Sequence, residues 1–195
     1  MSRLLILGAT GSLARVVTAH LLETTDASLT LFARNTRTLK PVDPARARIV
    51  EGDVLDHDAL TKAMVDQDIV YANLAGDLER MAKRIVQTMH ETGLRRLIFI
   101  SSMGIYDEVP GQKYRSILNP YRDSAKVIEA SDLDYTILRP AWFTDADEID
   151  YETTQKREPF RGSVVSRKSI ADLIVKLVKS PSLELRHSVG INKPE

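Results

Sequence analysis

The sequence predicts an α/β fold, a doubly wound and mainly parallel sheet of about seven to eight strands with helices on both faces. Three observations predict it: short apolar runs recur along the chain, amphipathic helical stripes separate them, and a glycine turn follows the first run. Several runs are apolar at consecutive positions, a pattern typical of strands that are buried on both faces of a parallel sheet. Strands and helices that alternate at this pitch predict right-handed crossovers.

Eight apolar runs are the predicted strands, in chain order. Six are strong: Leu4–Leu7, Leu29–Ala33, Ile49-Val50, Ile69–Ala72, Leu97–Ile100 and Tyr135–Leu138. Two further runs are weaker, Val164-Val165 and Ser188–Ile191. The runs extend over the whole length of 195 residues, which predicts a single domain over residues 1–195 with no separate substrate domain.

The segments between these runs carry the stripes of amphipathic helices, with apolar residues three and four positions apart. The clearest stripes are Leu78, Met81, Ala82, Ile85, Val86 and Met89, and then Ile170, Leu173, Ile174, Leu177 and Val178. Glycine favours helix ends and proline cannot continue a helix. Gly93 is therefore the predicted end of the earlier helix, and Ser180-Pro181 that of the later one.

The composition excludes several classes of protein. The 27 Lys and Arg residues balance 27 Asp and Glu residues, which argues against a nucleic-acid binder or a basic membrane-surface protein. Since the chain has no cysteine, it has no disulfide, thiolate nucleophile or Cys-ligated metal. The first apolar run stops at Thr10-Gly11, too early for a signal or membrane-spanning segment. We expect a cytoplasmic protein without nucleic-acid or membrane partners.

Nothing in the sequence has the spacing of a metal site. The four histidines are dispersed, with no His-x-x-x-His pair, which argues against zinc. The segment Asp145–Glu152 holds five acids in eight residues, and a solvated loop explains it better than a metal site does. No Gly-x-Ser-x-Gly elbow occurs, which disfavours a hydrolase.

The glycine turn is the strongest functional signal. The first strand runs directly into Gly8-x-x-Gly11-x-x-Ala14, and an apolar helical stripe follows. In a Rossmann-type fold the first glycine permits the tight turn, the second lets the backbone approach a pyrophosphate, and the small third residue lets the helix pack close to the sheet. The helix N-terminus presents free N–H donors to that phosphate. The residues predicted to contact it are Gly8, Thr10, Gly11, Ser12 and Leu13.

The end of the second strand predicts which dinucleotide is bound. Arg34 lies there, 20 residues beyond Ala14, and no Asp or Glu occurs between Ser28 and Val42. A carboxylate at this position would accept the ribose 2′-hydroxyl of NAD, whereas a cation suits the 2′-phosphate of NADP. We therefore predict that NADP(H) is preferred over NAD(H) and that Arg34 binds the 2′-phosphate. The alternative is that Arg34 belongs to a solvated loop.

Six segments occur in an order that resembles a known family. They are Gly8–Ala14, Gly52-Asp53-Val54, Asn73-Leu74-Ala75-Gly76, Ile100-Ser101-Ser102-Met103, Lys126-Val127-Ile128-Glu129 and Tyr135-Thr136-Ile137-Leu138-Arg139-Pro140. The ordered set covers essentially the whole chain. It resembles the atypical short-chain dehydrogenases/reductases, in particular the small NAD(P)H-binding, NmrA-like group.

The resemblance implies further contacts with the cofactor. Asp53 and Val54 are expected at the adenine, although Asp53 has an alternative role as a helix cap. Leu74, Ala75 and Gly76 are expected along the cofactor, together with Ser101. Pro140, Ala141, Trp142 and Phe143 are expected near the nicotinamide.

The resemblance also implies a catalytic Ser, a Tyr, and a Lys four residues after that Tyr, which holds the ribose. Ser102 and Lys126 match the first and last of these. The residue four before Lys126 is Arg122, however, and Tyr121 lies five before it, about 140° away around an ideal helix. Tyr121 and Tyr106 are both candidate proton donors. Alternatively, Ser101 and Ser102 satisfy backbone groups, Lys126 is a surface lysine and Tyr106 is a packing residue.

Trp142 and Phe143 are adjacent aromatic residues where the sixth strand is expected to end. Because ligands bind at the carboxyl ends of parallel strands, the two rings are expected to line an apolar pocket or to stack on a flat substrate, with simple packing as the alternative. The loops near Met103–Asn119 and Ala141–Gly162 would form that pocket.

Two functions of different class fit these features. One is an NADPH-dependent reductase of a small carbonyl, quinone or flavin-like compound. The other is a non-catalytic NADP(H)-binding sensor or regulator that acts through a protein partner, which the altered Tyr–Lys spacing suggests. A sugar-nucleotide epimerase or dehydratase fits less well because no substrate domain is expected. The sequence leaves open whether the protein is a monomer or a dimer.

Overall fold

The computed structural model describes residues 2–40 and 42–194, which contain ten strands and five helices. The strands are β1 Arg3–Leu7, β2 Ser28–Ala33, β3 Ala47–Glu51, β4 Ile69–Ala72, β5 Arg96–Ile100, β6 Asp134–Pro140, β7 Trp142–Thr144, β8 Glu152–Thr154, β9 Val164–Ser166 and β10 His187–Asn192. The helices are α1 Ser12–Thr24, α2 His57–Met64, α3 Leu78–Thr92, α4 Asn119–Glu129 and α5 Arg167–Lys179. A 3₁₀ turn, Ser116–Leu118, directly precedes α4.

The main sheet has eight strands in the order β3-β2-β1-β4-β5-β6-β10-β8. Every neighbouring pair is parallel except β10 and β8, which are antiparallel. This confirms the predicted Rossmann-type fold. The strand order reverses between β1 and β4, and a crevice at the carboxyl ends of the strands is expected at such a switch point.

Both faces of the central strands are covered, which explains their consecutive apolar residues. Leu4 and Ile6 of β1 belong to the core shared with α1 and α5. Leu5 and Leu7 belong to the opposite core, shared with α2, α3 and α4. All four side chains are completely buried. The strand is apolar at consecutive positions because helices cover both faces of the sheet here.

The predicted helix ends are confirmed at Gly93 and Ser180. Gly93 ends α3 in the left-handed conformation with φ +75°, and Ser180 follows the last residue of α5. Helix α4 begins without a side-chain cap. Asn119 is the first helical residue because the preceding 3₁₀ turn runs straight into the helix. Its Oδ1 accepts a hydrogen bond from the hydroxyl of Tyr114 (2.8 Å).

The sequence did not predict β7 and β8, two strands of three residues each in the C-terminal part of the chain. β7 pairs with β9 in a separate two-stranded parallel sheet, with Trp142 opposite Val164. The predicted strand at Val164-Val165 therefore lies outside the main sheet. The acidic segment is partly ordered: Asp145 pairs with Arg167 (2.6 Å), and the segment ends in β8. A three-residue strand is too short to show periodicity in the sequence.

The described residues contain neither a helix able to span a membrane nor a cluster of metal-ligating side chains. None of the helices in residues 2–40 and 42–194 combines the length and apolar character needed to cross a bilayer. Within the same residues, no three His, Asp or Glu side chains gather closely enough to hold a metal ion.

Candidate functional site

The turn between β1 and α1 is held against the ends of two neighbouring strands. The backbone N–H groups of Gly8 and Ala9 donate to the carbonyl oxygen of Phe32 at the end of β2 (3.0 and 3.2 Å). Gly8 has φ +79°, and a Cβ there would lie 2.1 Å from the carbonyl oxygen of Asn73, just after β4. Only glycine fits this position, because it lacks the Cβ and adopts positive φ without strain.

The N-terminus of α1 is left open. Its N-cap is Gly11, which has no side chain to accept a hydrogen bond, and the first turn holds no acidic residue. By contrast, Asp56 caps α2 and Asp77 caps α3 with their carboxylates. The first N–H groups of α1 therefore have no capping side chain and point, with the positive end of the helix dipole, toward an incoming anion.

A crevice of about 380 Å³ lies in front of this helix end, and we call it the glycine crevice. The predicted cofactor residues that line it are Gly8, Thr10, Gly11, Ser12, Leu13, Arg34, Asp53, Val54, Leu74, Ala75 and Phe143. The lining residues that sequence reasoning missed are Phe32, Ala33, Asn35, Gly52, Asn73 and Met81. All but Met81 lie at or just after the carboxyl ends of β2, β3 and β4, a position that could have identified them from the predicted strands.

The two predicted charged residues of the glycine crevice are available to a ligand. Arg34 is exposed and forms no ion pair with any residue that the structure describes. Asp53 is not the cap of α2, because Asp56 accepts the N–H of Ala59 in that role (3.1 Å). One oxygen of Asp53, Oδ1, accepts the N–H of Leu55 (2.9 Å), while Oδ2 forms no hydrogen bond within the described chain.

A second cavity, of about 250 Å³, adjoins the first, and we call it the aromatic cavity. Its walls follow β5 and β6 and include the segment that leads into α4. The lining residues are Ser101, Ser102, Met103, Gly104, Asp107, Val109, Gln112, Lys113, Tyr114, Arg115, Ile117, Leu118, Tyr121, Pro140, Ala141, Trp142 and Phe143. Phe143 lines both cavities, so the two cavities are neighbours that share a wall at this residue.

The hydroxyl groups of the aromatic cavity differ in their hydrogen bonds. Ser102 donates to the carbonyl oxygen of Met103 (3.1 Å), and Tyr114 donates to Asn119. Ser101 is buried, and its Oγ has no partner in the described chain. Tyr121, in the first turn of α4, lines the cavity, and its hydroxyl binds no described residue. It is therefore the tyrosine hydroxyl of this cavity that is free to serve a ligand.

Three predicted site residues lie outside both cavities. Lys126 is exposed, and its Nζ pairs with Asp123 (2.9 Å). Tyr106 donates its hydroxyl proton to Glu129 Oε1 (2.7 Å), and burial raises its pKa above the usual value. Gly76 has φ +103° and lines neither cavity. The structure thus brings Tyr121 together with Ser101 and Ser102, and separates Lys126, Tyr106 and Gly76 from them.

A buried ion pair positions one wall of the aromatic cavity. The carboxylate of Glu108 pairs with the guanidinium of Arg139 on β6, and both side chains are almost completely buried. Glu108 also accepts the backbone N–H groups of Gly104 (3.0 Å) and Tyr106 (2.8 Å). These bonds fold the segment after β5 back onto itself. No local pattern in the sequence indicated this pair.

Comparisons with known proteins agree with this geometry. A family model described as NAD(P)H-binding matches residues 8–181. A Rossmann-fold NAD(P)-binding family protein from Shigella flexneri is 46% identical with a TM-score of 0.90, covering 100% of this chain and 94% of that one. A short-chain dehydrogenase/reductase from Veillonella parvula, solved in complex with NADP, is 28% identical with a TM-score of 0.90, covering 99% and 95%. No curated protein matches the chain.

Proposed function

Since this chain belongs to the NAD(P)H-binding family, among the atypical short-chain dehydrogenases/reductases, we propose that it is an NADPH-dependent reductase of a small, flat carbonyl, quinone or flavin-like compound. The observation that carries this proposal is the contact between the two cavities at Phe143. One cavity has the open helix end that suits a dinucleotide, and the other has aromatic walls that suit a flat acceptor.

The residues of the glycine crevice fit a dinucleotide phosphate. The open N-terminus of α1 would hold the pyrophosphate through its N–H groups. Arg34 would pair with a 2′-phosphate, and Asp53 would accept a hydrogen bond from the adenine amino group. The nicotinamide end would extend toward Pro140 and Phe143, where the aromatic cavity begins.

The aromatic cavity would hold the acceptor and supply its proton. When bound, the nicotinamide supplies a hydride, which is the chemistry of this cofactor. Tyr121 would donate its hydroxyl proton to the acceptor oxygen and regain one from solvent, and Ser102 would donate a hydrogen bond to the same oxygen after leaving Met103. The proposed step does not use Lys126, because its ammonium group pairs with Asp123 outside the cavity.

Turnover of NADPH tests the proposed activity. We expect the purified protein to oxidise NADPH, measured by its absorbance, in the presence of at least one member of a panel of quinones, flavins and aldehydes. A protein that binds NADPH but oxidises none of it with this panel would refute the reductase function.

Replacing Arg34 by alanine tests the choice of cofactor. We expect the variant to bind NADPH more weakly by about 1.5–3 kcal/mol, the range for a charge-assisted hydrogen bond, and to bind NADH almost unchanged. Arg37→Ala is the matched control, because Arg37 is an exposed arginine nearby that does not line the glycine crevice. Calorimetric titration of the wild type and both variants with each cofactor measures the six affinities. Equal losses for both cofactors would show that Arg34 does not bind the 2′-phosphate.

Replacing Tyr121 by phenylalanine tests the proton donor. General acid catalysis contributes roughly 10²–10⁴-fold, so we expect kcat for a carbonyl acceptor to fall by about 10²-fold or more, with KM for NADPH unchanged. Tyr114→Phe is the control, since the hydroxyl of Tyr114 is engaged by Asn119. If Tyr121→Phe keeps full activity, the proton comes from another group or from water.

The position of Lys126 favours the sensor as a second candidate function. Tyr121 lines the aromatic cavity, whereas Lys126 lies outside it. A protein in which these two residues are separated could bind the dinucleotide without reducing a substrate. Such a protein would change its oligomeric state or its partner binding between NADP⁺ and NADPH. Gel filtration in the presence of each form measures this, and identical behaviour in both forms would exclude a sensor of that kind.

A further inference from the structure

Two cations of the aromatic cavity are not used by the reaction described above. Lys113 and Arg115 both line the cavity and are exposed. Neither forms an ion pair or side-chain hydrogen bond within the described part of the chain. Building on the reductase function, we propose that the cavity takes planar aromatic acids, and that Lys113 and Arg115 bind the anionic group.

The neighbouring cations show that these two are exceptional in their segment. Arg122 lies over the ring of Tyr114, 4.3 Å from its centroid, and Lys126 pairs with Asp123. Those two cations line neither cavity and have partners in the protein. The two that line the cavity have none, so their donors are available to a bound anion.

The charges on the cavity wall leave an excess of positive charge. Asp107 is the one carboxylate among the described lining residues, set against Lys113 and Arg115. It lies beyond 4 Å from the charged nitrogens of both, and so does not neutralise them as an ion pair. A neutral quinone would gain little from this wall, whereas an anion would form charge-assisted hydrogen bonds, which are about twice as strong as neutral ones.

The remaining walls favour a flat aromatic body. Trp142 is 65% exposed and Ile117 is 68% exposed, although both are large apolar residues at the cavity. Phe143 and Tyr121 add two further rings. Exposed apolar side chains gathered around a concavity are typical of a ligand site. With a volume of about 250 Å³, below the roughly 300–1,000 Å³ of sites for drug-sized ligands, the cavity suits a small compound.

The test uses two redox-inert probes of the same shape, 2-naphthoate and its neutral amide, 2-naphthamide. Trp142 is the only tryptophan of the chain and lines the cavity, so quenching of its fluorescence reports binding directly. We expect naphthoate to bind at least about tenfold more tightly than naphthamide, a difference of about 1.4 kcal/mol. We also expect this preference to shrink as salt is added.

The variant Lys113→Gln/Arg115→Gln should abolish the preference and leave the affinity for naphthamide unchanged. Arg157→Gln, at an exposed arginine outside the aromatic cavity, should keep the preference. Circular dichroism verifies that each variant is folded, and the two single variants replace the double one if it is not. Equal affinity for the probes, no binding of either, or a preference that survives in every folded variant would overturn the proposal.

Because neither probe is reduced, this experiment is independent of the reductase assay. A clear preference for naphthoate in a protein that reduces no acceptor would refute the reductase function alone. Reduction of neutral quinones without a preference for naphthoate would refute only the assignment of Lys113 and Arg115.

Discussion

Exchanging Glu108 for glutamine is expected to lower the free energy of unfolding by about 3–5 kcal/mol, the cost of breaking a buried ion pair by removing one partner. Arg139 is completely buried and would remain charged without a counterion. Glutamine has nearly the same volume as glutamate, but its amide has only one accepting oxygen, whereas the N–H groups of Gly104 and Tyr106 bond to different oxygens of Glu108. The loss therefore combines the unpaired charge with one lost acceptor. Urea unfolding of the variant and the wild type measures the difference.

A double variant shows how much of the lost stability comes from the unpaired charge of Arg139. In Glu108→Gln/Arg139→Met no unpaired charge is buried, and replacing a buried ion pair by groups without charge is often neutral. We expect it to recover more than half of the stability lost by Glu108→Gln. The recovery is incomplete because Arg139 also donates to Ser188 Oγ (3.1 Å) and to the carbonyl oxygen of Ser188 (3.2 Å). A double variant less stable than Glu108→Gln would show that the ion pair is not the source of the loss.

The sheet was predictable because its signal is local. In β1 every residue from Leu4 to Leu7 is buried, and a run of consecutive apolar residues records that burial directly in the sequence. The contact between Glu108 and Arg139 joins residues 31 positions apart, and nothing in either neighbourhood indicates the other. The pairing of β7 with β9 is equally non-local, and each strand has only three residues.

The candidate site was predictable to the extent that helix geometry determines it. An angle of about 140° between Tyr121 and Lys126 predicts that they do not face the same ligand. In the structure Tyr121 lines the aromatic cavity and Lys126 is exposed outside it. The loop near Met103–Asn119 was expected to form the pocket, but which of its side chains line the cavity, Lys113 and Arg115 among them, was not predictable. Their positions depend on how the segment before α4 folds over the ends of β5 and β6. Hydrophobic periodicity does not determine the side-chain directions of such an irregular segment.

Replacing Gly8 by alanine should strongly reduce both the stability of the protein and its binding of NADPH. At φ +79° an L-residue is strained by about 1–2 kcal/mol, and the new Cβ would lie 2.1 Å from the carbonyl oxygen of Asn73. That oxygen belongs to the backbone, and the N–H of Asn73 is bound to Leu7 (3.0 Å), so it cannot move away without breaking the end of the β1–β4 pairing. We expect loss of more than 2 kcal/mol in stability and loss of measurable NADPH binding.

Gly93→Ala is the control that measures the cost of positive φ without the steric clash expected at Gly8. Gly93 has nearly the same backbone angle, φ +75°, but a Cβ there would meet nothing within 4 Å. Its substitution should therefore cost only the strain of about 1–2 kcal/mol and leave NADPH binding intact. If Gly8→Ala costs no more than Gly93→Ala and still binds NADPH, the close approach of the β1–α1 turn to Asn73 is not needed for the site. If only Gly8→Ala loses binding, the turn must lie this close to β4 for the helix end to receive the pyrophosphate.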